Sequence, residues 1–239
     1  DEHEPRAFGD NFQKWGTSTI LIESGGWKDD PEKQFIRKLN FIALLSALKS
    51  IAEESYVNTS TKIYDAIPFN GEYIYDMILR NLTVQNKKEK IKVDIAVNLD
   101  EFELKKENRI FYRSNVADLG DLSVFYAYND YDFDGYTIDR AKVYDKKVYS
   151  LKELKKLDYP LLYSKGYSTI LVNKLPDENF SDYPINIALK NKIDTTINIG
   201  EIANFVIKKN NKIEYIVING FLFKIDTDRK PEGNGLVIK

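Results

Sequence analysis

Glu23 is the residue whose type and position most clearly suggest chemistry. It ends an apolar run over residues 19–22 and opens a turn over residues 24–27 that contains two glycines. The run predicts a buried strand over residues 16–23, with the Glu23 carboxylate at its end. Burial raises a carboxyl pKa, which suits a general base or acid near neutral pH. The open alternative is a solvated carboxylate, or one that accepts hydrogen bonds from the turn amides.

A second set of candidates is the acidic segment over residues 130–135. Its oxygen ligands alternate as at the start of a calcium loop, and Gly135 would allow the sharp turn. Ala141 stands where such a loop has a bidentate glutamate, so a solvated acidic loop is the alternative. The calcium candidates are Asp130, Asp132 and Asp134.

Arg6 is a candidate for holding the carboxylate of a substrate. A guanidinium pairs with a carboxylate through two parallel hydrogen bonds, which fixes its orientation. A solvated surface arginine is the alternative.

The composition limits the classes of partner and cofactor. The chain has 239 residues, with 35 basic and 37 acidic side chains and a formal charge of −2. This balance argues against nucleic acid and anionic membranes as partners. The chain has no Cys and a single His, and no apolar run approaches the ~20 residues of a membrane span. Its residue usage is typical of a secreted or periplasmic bacterial protein.

A helix is predicted over residues 31–51, with Asp30 as its cap and Pro31 in its first turn. Its apolar residues form two rows, so the apolar stripe is broad. We expect this helix to be covered by the rest of the chain or, through self-association, by a second copy.

Strand patterns dominate the chain after residue 57. Residues 91–97 alternate apolar and polar side chains, and residues 203–207 and 213–218 read as a hairpin turned at Asn210-Asn211. The tail from residue 227 reads as loose. The sequence therefore predicts an α+β protein, with a strand and helix over residues 1–56 and a β-rich, mainly antiparallel domain over residues 57–239.

The segment around Ile22-Glu23-Ser24-Gly25-Gly26, from residue 8 to residue 52, resembles the last strand and helix of M14-family zinc carboxypeptidases of the secreted bacterial type. In that family the strand-end glutamate is the general base that activates a zinc-bound water, and Glu23 matches it. The zinc ligands, a His-x-x-Glu motif and a later His, have no counterpart in this sequence.

This resemblance implies that residues 1–56 are the remnant of an α/β peptidase domain and residues 57–239 an accessory domain. Zinc would belong to the parent protein, with no cofactor in this chain. A peptide substrate would bind through the missing catalytic region, and this chain alone would be inactive.

Two other interpretations stay open. The aromatic residues over 126–136 could serve a stand-alone binding or structural module for a peptide, a glycan or a partner protein. Residues 199–207 and 216–220 resemble the closing strands of amidohydrolases, which belong to a small β-sandwich beside a metal-dependent barrel. The His-x-His signature of that barrel is missing, so this second resemblance implies strand topology only.

Overall fold

The computed structural model describes residues 3–68, 71, 73–86, 89–104, 109–189, 196–227 and 233–239. The chain divides into two compact units, Asp1–Glu72 and Tyr73–Lys239. Among the described residues, regular structure is helical in the first unit and mainly strand in the second. The protein is therefore β-rich and of the broad α+β class. The boundary predicted after residue 56 falls within the first unit.

The first unit contains no strand among its described residues. Its elements are α1 (Phe8–Lys14), α2 (Gln34–Ala52), a 3-10 helix (Ser55–Asn58) and α3 (Lys62–Asp65). Residues 17–27 have no regular structure, and Ile20 and Leu21 are 67% and 83% exposed. The predicted buried strand over residues 16–23 is wrong. A strand needs a neighbour for its backbone hydrogen bonds, and the described residues of this unit offer none.

The Asp30 side chain caps α2 as predicted, but the helix begins at Gln34 and not at Pro31, because Lys33 at the N-cap position has a left-handed backbone conformation. The Oδ1 of Asp30 accepts a hydrogen bond from the Gln34 N–H at 2.7 Å, and its Oδ2 accepts bonds from the N–H groups of Phe35 (3.0 Å) and Ile36 (3.2 Å). These are N–H groups that have no partner within the helix. The indole of Trp27 packs on the Phe35 ring with centroids 4.9 Å apart. The Asp30 carboxylate and the contact between Trp27 and Phe35 thus hold the preceding turn against the first turn of α2.

Removing this cap is expected to loosen the first unit. Asp30→Ala should lower the stability of α2 by about 1 kcal/mol, the usual effect of losing a capping side chain. Both tryptophans, Trp15 and Trp27, lie in this unit, so intrinsic fluorescence during urea unfolding reports on it. Glu32→Ala removes an exposed carboxylate nearby and is the matched control. Equal midpoints for the two variants would contradict the capping role.

Most apolar side chains of α2 are exposed. Ile36 is its buried residue. Its large apolar side chains with at least half of their surface exposed are Phe41, Leu44, Leu45, Leu48 and Ile51. The two predicted apolar rows are therefore present and uncovered among the described residues. Self-association through this helix stays a prediction.

The second unit is built from two sheets. The strands are β1 (Ile74–Asn86), β2 (Glu89–Leu104), β3 (Arg109–Gly120), β4 (Tyr126–Asp132), β5 (Thr137–Arg140), β6 (Lys142–Tyr149), β7 (Tyr167–Val172), β8 (Phe180–Ser181), β9 (Asn186–Ala188), β10 (Phe205–Lys209), β11 (Lys212–Ile218), β12 (Phe221–Lys224) and β13 (Gly235–Ile238). Two short helices, α4 (Leu151–Leu154) and α5 (Tyr159–Ser164), connect β6 to β7. The first sheet has the order β12-β11-β10-β5-β1-β2-β3, with β4 also beside β1, and the second has the order β6-β7-β9-β13-β8.

The prediction of mainly antiparallel strands holds for the first sheet and not for the second. Strands β6, β7, β9 and β13 pair in parallel. Parallel neighbours need a crossover, which α4 and α5 supply between β6 and β7. The predicted loose tail is also wrong at its end, because Val237 of β13 pairs with Ile187 and is 8% exposed.

The hairpin of β10 and β11 is confirmed. Asn210 and Asn211 have φ angles of 50° and 63°, which suit a type I′ turn and favour asparagine. Alternate side chains of β10 enter different cores. Phe205 and Ile207 pack in one cluster with Leu79, whereas Val206 packs in another with Ile170. This strand therefore lies between the two main cores of the unit.

Helix α4 begins with a reciprocal capping arrangement. Glu153 Oε2 accepts hydrogen bonds from the Ser150 N–H and hydroxyl, each at 2.8 Å, and Glu153 Oε1 accepts one from Lys147 Nζ at 2.9 Å. These donors, the Ser150 N–H foremost, lower the pKa of the Glu153 carboxyl to about 2 from 4.5.

The lowered pKa of Glu153 predicts a pH-dependent contribution to stability. Because the folded carboxyl holds its proton less tightly than the unfolded one, its contribution is complete above pH 4.5 and is lost as the pH falls through about 2. Glu153→Gln should therefore differ from the wild type most at pH 6 and least at pH 2. Urea unfolding across this range measures the difference, and a gap independent of pH would contradict the assignment.

Candidate functional site

Glu23 does not lie in the environment predicted for it. The residue is exposed and lies in a segment without regular structure. The neighbouring Ser24 hydroxyl accepts a hydrogen bond from Asn40 Nδ2 of α2 at 2.9 Å. The catalytic role predicted for Glu23 required a buried carboxylate, and this carboxylate is exposed.

Arg6 pairs with a neighbouring side chain. Its Nε donates to Glu4 Oε1 at 3.0 Å, and 90% of the Arg6 side chain is exposed. This hydrogen bond lowers the pKa of the Glu4 carboxyl. The guanidinium therefore contacts a carboxylate of its own chain, and its role toward a substrate stays a prediction.

The three calcium candidates each bind a different side chain. Asp130 accepts hydrogen bonds from the Arg80 guanidinium at both oxygens, each at 2.7 Å. Asp132 accepts one from Asn81 Nδ2 at 2.9 Å, and Asp134 pairs with Lys92. Among the described residues, no three His, Asp or Glu side chains are grouped as a metal site requires.

Arg80 ties β1 to β4 and to the loop before it. Besides Asp130, its guanidinium donates to the carbonyls of Leu122 at 3.0 Å and Phe125 at 2.9 Å. The bond to Asp130 raises the pKa of the arginine. The sequence carried no signal for this network, because Arg80 and Asp130 are 50 residues apart.

A buried asparagine lies at the turn between β11 and β12. Asn219 is 0% exposed and has a φ angle of 47°. Its Nδ2 donates to the carbonyls of Tyr112 at 2.7 Å and Asn234 at 3.1 Å, and its Oδ1 accepts from the Ser114 N–H at 2.9 Å. One side chain thus joins the turn before β12 both to β3 and to Asn234.

Further asparagines extend this network into the second sheet. Asn204 Oδ1 accepts hydrogen bonds from the Asn219 N–H and from Asn186 Nδ2, both at 2.9 Å. Asn186 Oδ1 in turn accepts one from the Leu236 N–H of β13, also at 2.9 Å. The asparagine network, as we call Asn186, Asn204, Asn219 and Asn234, therefore links the turn before β12 to β9 and β13.

The same turn brings the two end strands of the first sheet together. The rings of Tyr112 on β3 and Phe221 on β12 meet edge to face with centroids 5.9 Å apart. Gly220 has a φ angle of 77°, and a Cβ atom there would lie 2.6 Å from Ser114 Cβ. The sheet thus curls so that β12 lies against β3, and glycine permits the close approach.

The turn at Asn219 and Gly220 ends residues 216–220, one of the two segments that resemble the closing strands of amidohydrolases. The other segment, residues 199–207, contacts this turn directly. The Gly220 N–H donates to the Ala203 carbonyl at 3.0 Å, and the Ala203 N–H donates to the Ser114 hydroxyl at 3.1 Å. The two halves therefore form one hydrogen-bonded unit with β3.

No helix in the described part of the chain is long and apolar enough to cross a membrane.

Comparisons with known proteins gave matches among solved structures alone. No family model and no curated protein matches the chain. A D-aminoacylase that defines a subset of amidohydrolases is 23% identical, over 41% of this chain and 18% of that one, with a TM-score of 0.30. A mutant D-aminoacylase in complex with copper chloride is 22% identical, over 42% and 19%, with a TM-score of 0.30.

An N-acyl-D-glutamate deacylase from Bordetella bronchiseptica, complexed with zinc and a phosphonate inhibitor, is 17% identical. It matches over 48% of this chain and 28% of that one, with a TM-score of 0.29. The chain thus covers less than a third of each of these structures. These structural similarities are weak and cover less than half of this chain, so they assign no role to any of its residues.

The identification of this chain as the C-terminal part of an M14 zinc carboxypeptidase is wrong. The solved structures that it resembles are aminoacylases and a deacylase, not carboxypeptidases. The predictions of metalloprotease activity and peptide hydrolysis are therefore also wrong. The resemblance to M14 carboxypeptidases no longer supports Glu23 as a general base. The alternative of a stand-alone binding or structural module gains no support from these structures.

Proposed function

We propose that residues 73–239 act as the accessory β domain of a larger amide-hydrolysing enzyme of the amidohydrolase type. The support comes from residues 199–207 and 216–220, which resemble the closing strands of such enzymes. In this proposal the β domain stabilises the enzyme, and the residues that hydrolyse the amide belong to a metal-dependent barrel in the same protein.

The observation that carries the proposal is the contact between the two halves of this resemblance. Ala203 and Asn204 lie in the middle of one half, and Asn219 and Gly220 end the other. They are joined by the backbone bond from Gly220 to Ala203 at 3.0 Å and by the side-chain bond of Asn204 to Asn219 at 2.9 Å. The two halves are neighbouring antiparallel strands of one hairpin, with Phe205 opposite Val217, so the resemblance concerns one three-dimensional feature.

The chemistry of such an enzyme sets what this domain would contribute. A bound divalent metal would polarise the amide carbonyl and lower the pKa of an attacking water. No cluster of possible ligands occurs among the described residues of this chain, so the ligands in this proposal lie in another segment. N-acyl amino acids are the substrate class to test, because the similar solved structures are aminoacylases and a deacylase of such compounds.

Purification of the natural protein tests this function. An antibody against recombinant residues 73–239 would be used to isolate the natural protein from the cells that produce it. The precipitate is expected to release free amino acid from N-acyl amino acids, and a chelator should abolish the activity. Excess recombinant residues 73–239, added before precipitation, should remove both protein and activity. A precipitate that contains the protein and hydrolyses none of these compounds would overturn the proposal.

A further inference from the structure

An exposed row of apolar side chains runs along α2. Phe41, Leu44, Leu48 and Ile51, which we call the α2 seam, are 65%, 53%, 64% and 56% exposed. They are three, four and three residues apart, which is the spacing of the side chains that meet between two packed helices. The seam is about 15 Å long, at a rise of ~1.5 Å per residue. An exposed apolar row of this kind is typical of an interaction surface.

The α2 seam lies on a different side of the helix from the contacts that α2 makes with its own unit. Ile36 is 8% exposed, and Asn40 Nδ2 donates to the Ser24 hydroxyl at 2.9 Å. Successive helical residues are about 100° apart, so the seam is rotated by roughly a quarter of a turn from Ile36 and Asn40. The helix can therefore keep these contacts while a second helix packs against the seam.

The two ends of the α2 seam carry opposite charges. Lys38 lies three residues before the first residue of the seam, and Glu54 lies three residues after the last. Both side chains are exposed. Arg37 adds positive charge at the first end, whereas Glu53 at the other end pairs with Lys49 of its own helix at 3.9 Å. Such a surface complements a second copy of itself in the reversed orientation.

We propose that two copies of this chain pair through α2, antiparallel and related by a two-fold axis. Leu44 of each copy faces Leu48 of the other, and Phe41 of each faces Ile51. A two-fold axis makes one self-complementary surface sufficient for a closed dimer. This inference does not depend on the proposed function, because it concerns the first unit.

The charges determine the antiparallel orientation. The axis that pairs the seam residues also brings Lys38 of each copy to Glu54 of the other, so two ion pairs form per dimer. A parallel pair would place Lys38 against Lys38 and Glu54 against Glu54, and like charges repel. The apolar contact therefore provides most of the affinity, and the charges select the orientation.

Sedimentation equilibrium of the 239-residue chain tests the dimer. We expect the mass to rise from 27.7 kDa to twice that value as the concentration increases to ~100 µM. Leu48→Glu should weaken dimerisation at least ~100-fold, because it places a charge in the apolar contact of each copy. Ile42→Glu is the matched control, since Ile42 is 47% exposed on the same helix and lies outside the seam. This control should leave dimerisation unchanged, and circular dichroism checks that both variants fold.

An exchange of charges tests the orientation. Lys38→Glu and Glu54→Lys should each weaken the dimer about fivefold, the effect of two exposed ion pairs. The variant with both changes should regain the affinity of the wild type, because opposite charges then meet again. A chain that stays monomeric, with the seam free to bind another segment or protein, would overturn the proposal. A double variant no stronger than the single ones, or a dimer weakened as much by Ile42→Glu as by Leu48→Glu, would also overturn it.

Discussion

Replacing Asn219 with alanine is expected to destabilise residues 73–239 by about 3 kcal/mol. The Ser114 N–H, which is buried, loses the Asn219 Oδ1 as its partner. Leaving such a group unpaired costs ~1–3 kcal/mol. Alanine at a φ angle of 47° adds strain of about 1 kcal/mol. Urea unfolding followed by far-ultraviolet circular dichroism measures the loss of stability.

Asn210→Ala is the matched control for this variant. Asn210 has nearly the same backbone conformation, with a φ angle of 50°, and it lies in the exposed turn between β10 and β11. It should therefore show the cost of strain alone, about 1 kcal/mol. If Asn219→Ala and Asn210→Ala were equally destabilising, the side chain of Asn219 would not stabilise the unit.

Replacing Gly220 with alanine is expected to cost about 3–4 kcal/mol, the sum of backbone strain and overpacking. Its φ angle is 77°, and the added Cβ would lie 2.6 Å from Ser114 Cβ and 2.8 Å from Leu99 Cδ2. The end strands β3 and β12 would have to move apart to admit it. The midpoint and the slope of urea unfolding should both be measured, because a changed slope would indicate a less compact folded state.

A second glycine separates strain from steric conflict. Gly135 has a φ angle of 80° in an exposed turn, and a Cβ there would meet no atom within 4 Å. Gly135→Ala should therefore cost ~1–2 kcal/mol, the price of the left-handed conformation alone. Equal losses for the two glycine variants would contradict the close approach of β12 to β3.

Local signals predicted part of the fold correctly. Asp30 and the apolar spacing after it are close together in sequence, and they predicted α2 correctly except for its start, which lies at Gln34 and not at Pro31. The pair Asn210-Asn211 similarly identified the hairpin of β10 and β11, because asparagine tolerates positive φ. The strand over residues 16–23 was wrong because an apolar run does not tell whether a neighbouring strand exists to pair with it.

The asparagine network could not be predicted, because its partners are far apart in the chain. Asn219 bonds to Ser114 and Tyr112 across 105 and 107 residues. Neither residue carries a periodicity or a motif that would connect it with the turn before β12. The likeness of residues 216–220 to amidohydrolase strands pointed to this turn, but not to the role of its asparagine side chain.

The metal content of the natural protein decides whether residues 73–239 belong to a metal-dependent amidohydrolase. The measurement is the number of divalent metal ions per copy of the β domain, by elemental mass spectrometry of the antibody-purified protein. An accessory domain of an amidohydrolase predicts at least one tightly bound metal ion per copy, lost together with hydrolysis of N-acyl amino acids when a chelator is added. A purified natural protein without bound metal and without that activity would show that residues 73–239 are not part of such an enzyme.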